Sequence, residues 1–596
     1  MIPGKGEIKQ DGSGISLNPD QIEAVRHGEG PLLIAAGAGS GKTRTLTERL
    51  IHLMESGVPG GRIVAITFTN KAAQELKKRV LLRLPRRGEE EMPFLGTFHS
   101  FGAKILRDEA ASFGRSRGYS IFDEDDSKKL VKNIIKALNL PQDRYPATKV
   151  RRDISDIKNE LTPFDELKIE TRRVFEEYES SLEKQNAFDF DDLIEKPVLL
   201  FSRNRLILQK YQDRFDYILV DEFQDVNACQ YLLIKLLAER HKNLNVVGDD
   251  NQSIFKFRGA DFRNFLSFEK DWPGAKIINL GQNYRSSGNI VSASAAVIEN
   301  NKLRRKKELW TGNPPGAPIR IISAYGANEE AQIIADELSK QRVRDTAILY
   351  RTNAQSRALE QAFNFSSLPY EIYGGLKFYE RKEIKDIVAG LRYAVNPRDE
   401  IGLERLDKSL RKAQFRALKE GLPGAAGNMS AVELIGFFLK TADYQNLLKT
   451  KFDNYEERME NIAELINFAS EFANPTEFIE RISLLESADL ASGKNSAAKL
   501  ASPIKMMTIH LAKGLEFDQV YVIGATEGLL PHERSLYSPE EIEEERRLMY
   551  VAMTRAREKL TISFYGLPSR FLYEIPDNLL SSEDLPTIDE DGIIVK

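Results

Sequence analysis

At 596 residues, with 41% hydrophobic and 29% charged content, the chain is too long for one core and ordinary for a folded globular protein. Its 85 Lys plus Arg balance 89 Asp plus Glu, a formal net charge of −4, which excludes nucleic-acid binding by overall charge and leaves only a local basic groove for it. The single cysteine, Cys229, excludes a disulfide framework, a cysteine zinc site and a cysteine-ligated iron–sulfur cluster. No apolar run is long enough to span a bilayer, and "MIPGKGEIKQDGSG" lacks the apolar core of a signal peptide, so no membrane contact and a cytoplasmic location are expected.

The first hundred residues alternate between strand and helix. "PLLIA" reads as a short apolar strand, followed by a glycine-rich loop and a helix from about Thr43 to Glu55. "RIVAITFT" is the next strand and "NKAAQELKKRVLLRL" the next helix; such alternation predicts a parallel sheet. From about Phe101 to Lys196 the pattern is helical and charged with no good strand, predicting a helical insertion. Strand patterns return at "YILV" (217–220), "LNVVG" (244–248) and "KIINL" (276–280). A second α/β set is expected around "TAILY" (346–350), "QVYVI" (519–523) and "LTISF" (560–564). Between roughly Leu391 and Pro503 lies another helical, polar stretch, broken at "EGLPGAAGN" and "ASGKNSAA". "SSEDLPTIDEDG" is acidic and expected to form a loose tail.

"IAAGAGSGKTRTL" (34–46) carries chemistry. Gly37, Gly39 and Gly41 let backbone N–H groups approach phosphates, with Ala38 and Ser40 between them; Lys42 offers a point charge to the terminal phosphates and Thr43 a hydroxyl to Mg²⁺. Ala36 stands where the strict motif has glycine. The loop sits between a predicted strand and a predicted helix, as a phosphate loop requires. Downstream, "YILVDEFQD" is an apolar strand ending in Asp221 and Glu222, placed to hold Mg²⁺ and to orient or deprotonate the attacking water. Together they predict nucleotide hydrolysis.

Beyond this pair the chain carries, in order, "LNPDQIEAV", "ITFTNKAA", "GTFHSF", "FDFDDL", "GDDNQSIFKFRGA", "QNYRSS", "AILYRTNAQSR", "IYGGLKFYERKEIKD", "TIHLAKGLEF" and "EEERRLMYVAMTRAREKL". With these motifs it resembles the superfamily 1 DNA helicases of the UvrD, PcrA and Rep group from about Leu17 to Pro576. The resemblance implies two RecA-like lobes, each with a helical insertion: lobe 1A at 1–103 and 197–279, insertion 1B at 104–196, lobe 2A at 280–390 and 504–576, a shortened insertion 2B at 391–503, and the acidic tail at 577–596. It implies that Gln21 reads adenine, that Arg44 and Tyr284 contact the base, that Gln252 senses the γ-phosphate and that Glu516 contacts the ribose. Arg285 and Arg555 correspond to two arginine fingers, so that ATP with Mg²⁺ would draw the lobes together and hydrolysis release them. On the DNA side, Phe68, Phe255 and Phe257 match the family's base-stacking residues. Thr69, Asn70, Thr97, His99, Arg258, Arg351 and Asn353 match its backbone contacts, and His510 a residue coupling the two sites.

Several departures matter. Phe255 and Phe257 stand where relatives carry Tyr and Trp, which preserves a π-face but reduces stacking area. Gly281 replaces a commonly acidic residue. Relatives split the duplex with a β-hairpin pin after the final motif, whereas here only Tyr565, Gly566 and Leu567 separate "LTISF" from "PSRF", too few for two strands and a turn. The family's Gly-Ile-Gly duplex signature is not found in the second insertion. The resemblance implies a 3′-to-5′ single-strand translocase and helicase of DNA repair, replication or recombination. The expected partners are single-stranded DNA, 3′-tailed duplex junctions and repair or replication proteins, and the expected state is a monomer that can pair on DNA. The alternative is a DNA- or polymerase-binding adaptor whose ATPase times its attachment.

Overall fold

The computed structural model describes residues 17–84, 91–142, 144–160, 162, 168–340, 345–423, 425–482, 503–581, 587–588 and 594–595. They form two compact units: residues up to Arg285 together with Lys302–Gly312, and Ser286–Asn301 together with Asn313 onward. The expected lobe boundary at 279/280 lies six residues before the first of these divisions. The chain leaves the first unit after Arg285, returns as an eleven-residue strap, Lys302–Gly312, and leaves again.

In the first unit, Leu32–Ala36 (β1), Ile63–Thr67 (β2), Phe94–Thr97 (β3), Tyr217–Val220 (β4), Leu244–Gly248 (β5) and Lys276–Leu280 (β6) make a six-stranded parallel sheet ordered β3-β2-β4-β5-β1-β6. The interior strands β1, β2, β4 and β5 are buried at every position, because helices cover both faces of a parallel sheet. One apolar layer contains Leu33, Val64, Ile218 and Val246; the other contains Leu32, Ile34, Ile63 and Leu219. The order places β5 between β4 and β1, so loops leaving the carboxyl ends of these three strands converge. The expected absence of strands in the first insertion does not hold: Ser120–Phe122 pairs in parallel with Ala187–Asp189. Its helices Phe98–Asp108 and Asp192–Arg203 also run through the expected boundaries at 103/104 and 196/197.

In the second unit, Arg320–Ala324 (β7), Thr346–Tyr350 (β8), Tyr370–Ile372 (β9), Ile504–Thr508 (β10), Phe517–Val522 (β11) and Ala556–Tyr565 (β12) form a second parallel sheet ordered β7-β12-β11-β8-β10-β9. Helix Lys382–Val395 crosses the expected start of the insertion at 391. It shares one apolar core with the helices that follow, through Ile387, Leu391, Leu434, Phe438, Leu448 and Leu465. The "ASGKNSAA" break lies outside the described residues. The tail is docked at its start, where Ile319 N–H donates to Leu579 O (2.8 Å) and Ser581 N–H to Ile319 O (3.0 Å). Farther on, Thr587–Ile588 pairs antiparallel with Ile594–Val595, so the expectation of a loose tail is corrected for these residues.

Candidate nucleotide site and strand-binding face

The glycine-rich loop turns sharply after β1 because Gly39 (φ 66°) and Gly41 (φ 81°) adopt left-handed backbone, and Gly41 caps helix Lys42–Glu55. A Cβ on Gly39 would lie 2.8 Å from Arg285 Cβ and 2.9 Å from Asn283 Nδ2, so the residues after β6 pack directly on the loop. Asn283 Nδ2 donates to Ala38 O (2.8 Å), Tyr284 N–H to Gly39 O (2.9 Å) and Arg285 N–H to Asn283 Oδ1 (2.8 Å). Gly37 N–H donates to Leu280 O, Ser40 Oγ to Gly37 O (2.8 Å) and Gln21 Nε2 to Ser40 O (3.0 Å). Gln21 itself is fixed by a capping box with Asn18. Tyr284 is 39% exposed and its hydroxyl donates to Gln282 Oε1. Gln21, Ala36 through Arg44, Tyr284 and Arg285 are thus gathered around one loop.

At the end of β4, Thr43 Oγ1 donates to Asp221 Oδ2 (2.9 Å). A hydroxyl and a carboxylate this close are hard oxygen donors suited to Mg²⁺, which takes few protein ligands and leaves its other positions to phosphate and water. Burial and the neighbouring Glu222 raise the Asp221 carboxyl to about 7. Glu222 holds a left-handed backbone (φ 51°), uncommon outside glycine and frequent where function holds a residue in place. Buried Gln224, not singled out from sequence, spans this corner: its Nε2 donates to Glu222 Oε2 (2.6 Å) and its Oε1 accepts Asp249 N–H (2.8 Å). Gln252 Nε2 donates to Asp249 Oδ2 (2.6 Å), and Lys42 Nζ lies 4.0 Å from that oxygen. A second unanticipated residue, buried Lys307 of the strap, lies 2.6 Å from both Asp249 Oδ1 and Asp250 Oδ1. It sits outside every recognisable motif, so no spacing signal marks it.

The aromatic face begins a few residues beyond. Phe68 and Phe255 stack with centroids 6.0 Å apart and planes 7° apart, and Phe257, 61% exposed, meets Phe255 edge-on at 6.0 Å. Thr69 and Thr97 are N-caps whose hydroxyls accept from Ala72 N–H and Ser100 N–H, and Asn70 opens its helix. His99 stacks on Phe190 at 4.0 Å; Phe190 is half-exposed, lies inside the "FDFDDL" motif and was not selected from sequence. Burial holds the His99 imidazole down at about 4, so it is neutral at ordinary pH. Arg258 closes a short 3₁₀ turn after Phe257.

Four of the second-unit residues bond to neighbours in their own unit. Arg555 is buried, its guanidinium donating to Val551 O (3.0 Å), Leu515 O (3.1 Å) and Thr554 Oγ1 (3.1 Å). Glu516 is held by Arg557 (2.7 Å). Arg351 forms a forked pair with buried Glu545, and Asn353 donates to Glu457 Oε1 (2.6 Å). His510 is half-buried on the short helix after β10.

Comparison with known proteins agrees with this geometry. The model of the UvrD/REP helicase N-terminal domain matches residues 17–273, and that of the UvrD-like helicase C-terminal domain matches 278–441 and 428–566. The chain is similar to proteins named ATP-dependent DNA helicase PcrA. It is 40% identical to that of Bacillus subtilis over 642 residues, covering 95% of this chain and 86% of the relative. The corresponding figures are 40% over 646 residues for Staphylococcus epidermidis and 39% over 643 for Staphylococcus aureus, each covering 95% of this chain and 87% of the relative. Among the described residues no helix is long and apolar enough to cross a membrane.

Proposed function

The chain belongs to the UvrD/Rep helicase family, and from that premise we propose that its first unit turns over Mg²⁺–ATP at the corner of β1, β4 and β5 to move the protein 3′-to-5′ along single-stranded DNA. It is an ATP-dependent DNA helicase; the metal, the polarity and the residue roles are the proposal. Thr43 and Asp221 would hold a Mg²⁺ ion, whose chemistry there would be to neutralise phosphate charge. The loop N–H groups and Lys42 bind the phosphates, Glu222 takes the proton of the attacking water, and Gln252 reads the γ-phosphate. Arg285, seated on the phosphate loop, and Arg555 offer guanidinium groups to the transition state; Arg555 must first release its carbonyl partners. Phe68, Phe255 and Phe257 stack on bases, with Thr69, Asn70, Thr97, His99, Arg258, Arg351 and Asn353 on the backbone. DNA as substrate fits action in repair or replication, on 3′-tailed junctions, inside the cytoplasm.

One observation carries this reading. Gln252, bonded to Asp249 beside Lys42, is followed within five residues by Phe255 and Phe257, so a shift at the phosphates is delivered to the stacking face. ATP hydrolysis measured with and without saturating single-stranded DNA tests it. Strong stimulation is expected, and a rate indifferent to the strand rejects the coupling. Stimulation without movement along the strand would favour the adaptor alternative.

A further inference from the structure

We propose that Lys307 is a positioning residue for ATP turnover: by neutralising Asp249 and Asp250 it keeps Lys42 available to phosphate and holds Gln252 in place. This rests on the assignment of the phosphate loop above. The Asp249, Asp250 and Lys307 side chains are 0%, 0% and 1% exposed, so their charges are settled among themselves. Burial works to raise the Asp249 carboxyl, and the Lys307 and Lys42 ammonium groups override it, holding it below its ordinary range. The oxygens of Asp249 are divided: Oδ1 takes Lys307 at 2.6 Å, while Oδ2 takes Gln252 at 2.6 Å and has Lys42 at 4.0 Å. Asp250 takes Lys307 on Oδ1 and Arg305 N–H on Oδ2 (2.7 Å).

The strap carrying Lys307 has little freedom to move away. Trp310 and Thr311 pair with Gln282 and Asn283 in parallel register. A Cβ on Gly281 would lie 2.1 Å from Glu308 O, so the strap runs directly against the backbone at this glycine. A Cβ on Gly37 would meet Leu309 Cδ2 at 2.4 Å, so the strap also packs on the phosphate loop. It thus touches the phosphate loop and the Asp249–Gln252 loop at once, and its two ends continue into the second unit. Without Lys307, buried Asp249 would face Lys42, already 4.0 Å away. An uncompensated buried charge recruits whatever partner is within reach. Lys42 would close on Asp249, lost to phosphate, and the Gln252 tether would shift.

The test uses the full chain and a fluorescent ATP analogue, with DNA-stimulated turnover measured alongside. Lys307→Met is expected to weaken analogue binding and to lower kcat, each on the order of tenfold. Adding Asp249→Asn removes the carboxylate that captures Lys42. The double variant Asp249→Asn/Lys307→Met should therefore regain analogue binding to within a few-fold of the parent while kcat stays low, because the Gln252 tether is changed. A merely structural lysine predicts parallel losses and no such split. If Lys307→Met does not fold, Asp249→Asn alone decides: analogue binding should be undiminished with kcat reduced, and lost binding overturns the proposal. Parental binding and kcat in folded Lys307→Met overturn it, as does a double variant no better than the single one. Lys42→Ala is the control. If it binds the analogue normally, the phosphate-loop assignment fails; if it does not and Lys307→Met does, the Lys307 role alone fails.

Discussion

At the scale of single residues, the corner between β4 and β5 separates groups that bind from groups that react. Glu222 accepts a hydrogen bond from Gln224 and sits on a left-handed backbone, so its carboxylate is aimed by its neighbours rather than by chance rotamers. Glu222→Gln keeps the shape and removes the basic oxygen. ATP binding should persist while turnover falls by several orders of magnitude, measured as analogue affinity against single-turnover hydrolysis. His99 permits a pH prediction. Its folded-state value of about 4 lies below the ordinary 6.5, so the unfolded chain binds the proton more readily. The stability from keeping it neutral is full above about pH 6.5 and is lost as pH falls towards 4. His99→Phe keeps the stack on Phe190 and should flatten the melting-temperature slope across that window; an unchanged slope rejects the burial argument. The sequence displayed Glu222, Lys42 and Thr43 because motif spacing follows from phosphate geometry. It hid Lys307 because a residue that balances buried charge needs no fixed distance from any motif, and it left Gln224 unselected inside "YILVDEFQD" because an uncharged amide beside two carboxylates carries no chemistry of its own.

At the scale of elements, the first insertion is held together by charge as well as by apolar area. Fully buried Lys158, on helix Ala147–Glu160, lies 2.9 Å from Asp189, 2.7 Å from Asp192 and 2.7 Å from Glu179. Lys196 adds a second ammonium, 2.5 Å from Glu179 and 3.3 Å from Asp192. Next to Lys158, Asn159 Nδ2 donates to Asp191 Oδ1 (3.0 Å) and its Oδ1 accepts from Asn227 (2.9 Å), the cap of the helix after the Glu222 corner. Replacing Lys158 with Met leaves four carboxylates, Glu179, Asp189, Asp192 and Glu195, around one remaining ammonium, Lys196. A loss of about 3–5 kcal/mol is expected, read by denaturant unfolding, and a loss under about 1 kcal/mol would mean that water reaches the cluster. This organisation was half legible. "FDFDDL" stood out as a motif, yet its strand, Ala187–Asp189, is three residues long and carries no period by which to recognise it. β3, β7, β9 and β10 were missed for related reasons. β3, β7 and β9 lie at sheet edges, and interior β10 ("IKMMT") is interrupted by Lys505, whereas the expected interior strands announced themselves as unbroken apolar runs.

For the whole molecule the open question is how far a competent strand motor can open a duplex. β12 ends at Tyr565, Gly566 turns the chain with φ 66°, and the chain is fastened at once. Thr526 Oγ1 donates to Tyr565 O (2.9 Å), Glu527 N–H to Leu567 O (3.0 Å), Ser569 N–H to Ala525 O (2.8 Å), and Arg570 forks onto Glu527. The turn is therefore complete where a separating hairpin would begin. Phe564 is 2% exposed and cannot serve as a wedge; Leu567, 50% exposed, is the apolar tip. A motor without a wedge gains duplex only as the fork frays, and each base-pair step costs on the order of 1–2 kcal/mol. Movement on single strands should be robust, while single-turnover unwinding of a 3′-tailed duplex by the isolated monomer should fall steeply with duplex length. A second copy or a protein partner should relieve that fall. The comparison sets translocation rate against unwinding of short and long duplexes at concentrations where one copy is bound per strand. Efficient opening of the long duplex by one copy would reject the argument. If Leu567→Ala then abolished that opening, the wedge would be the Gly566–Leu567 turn itself.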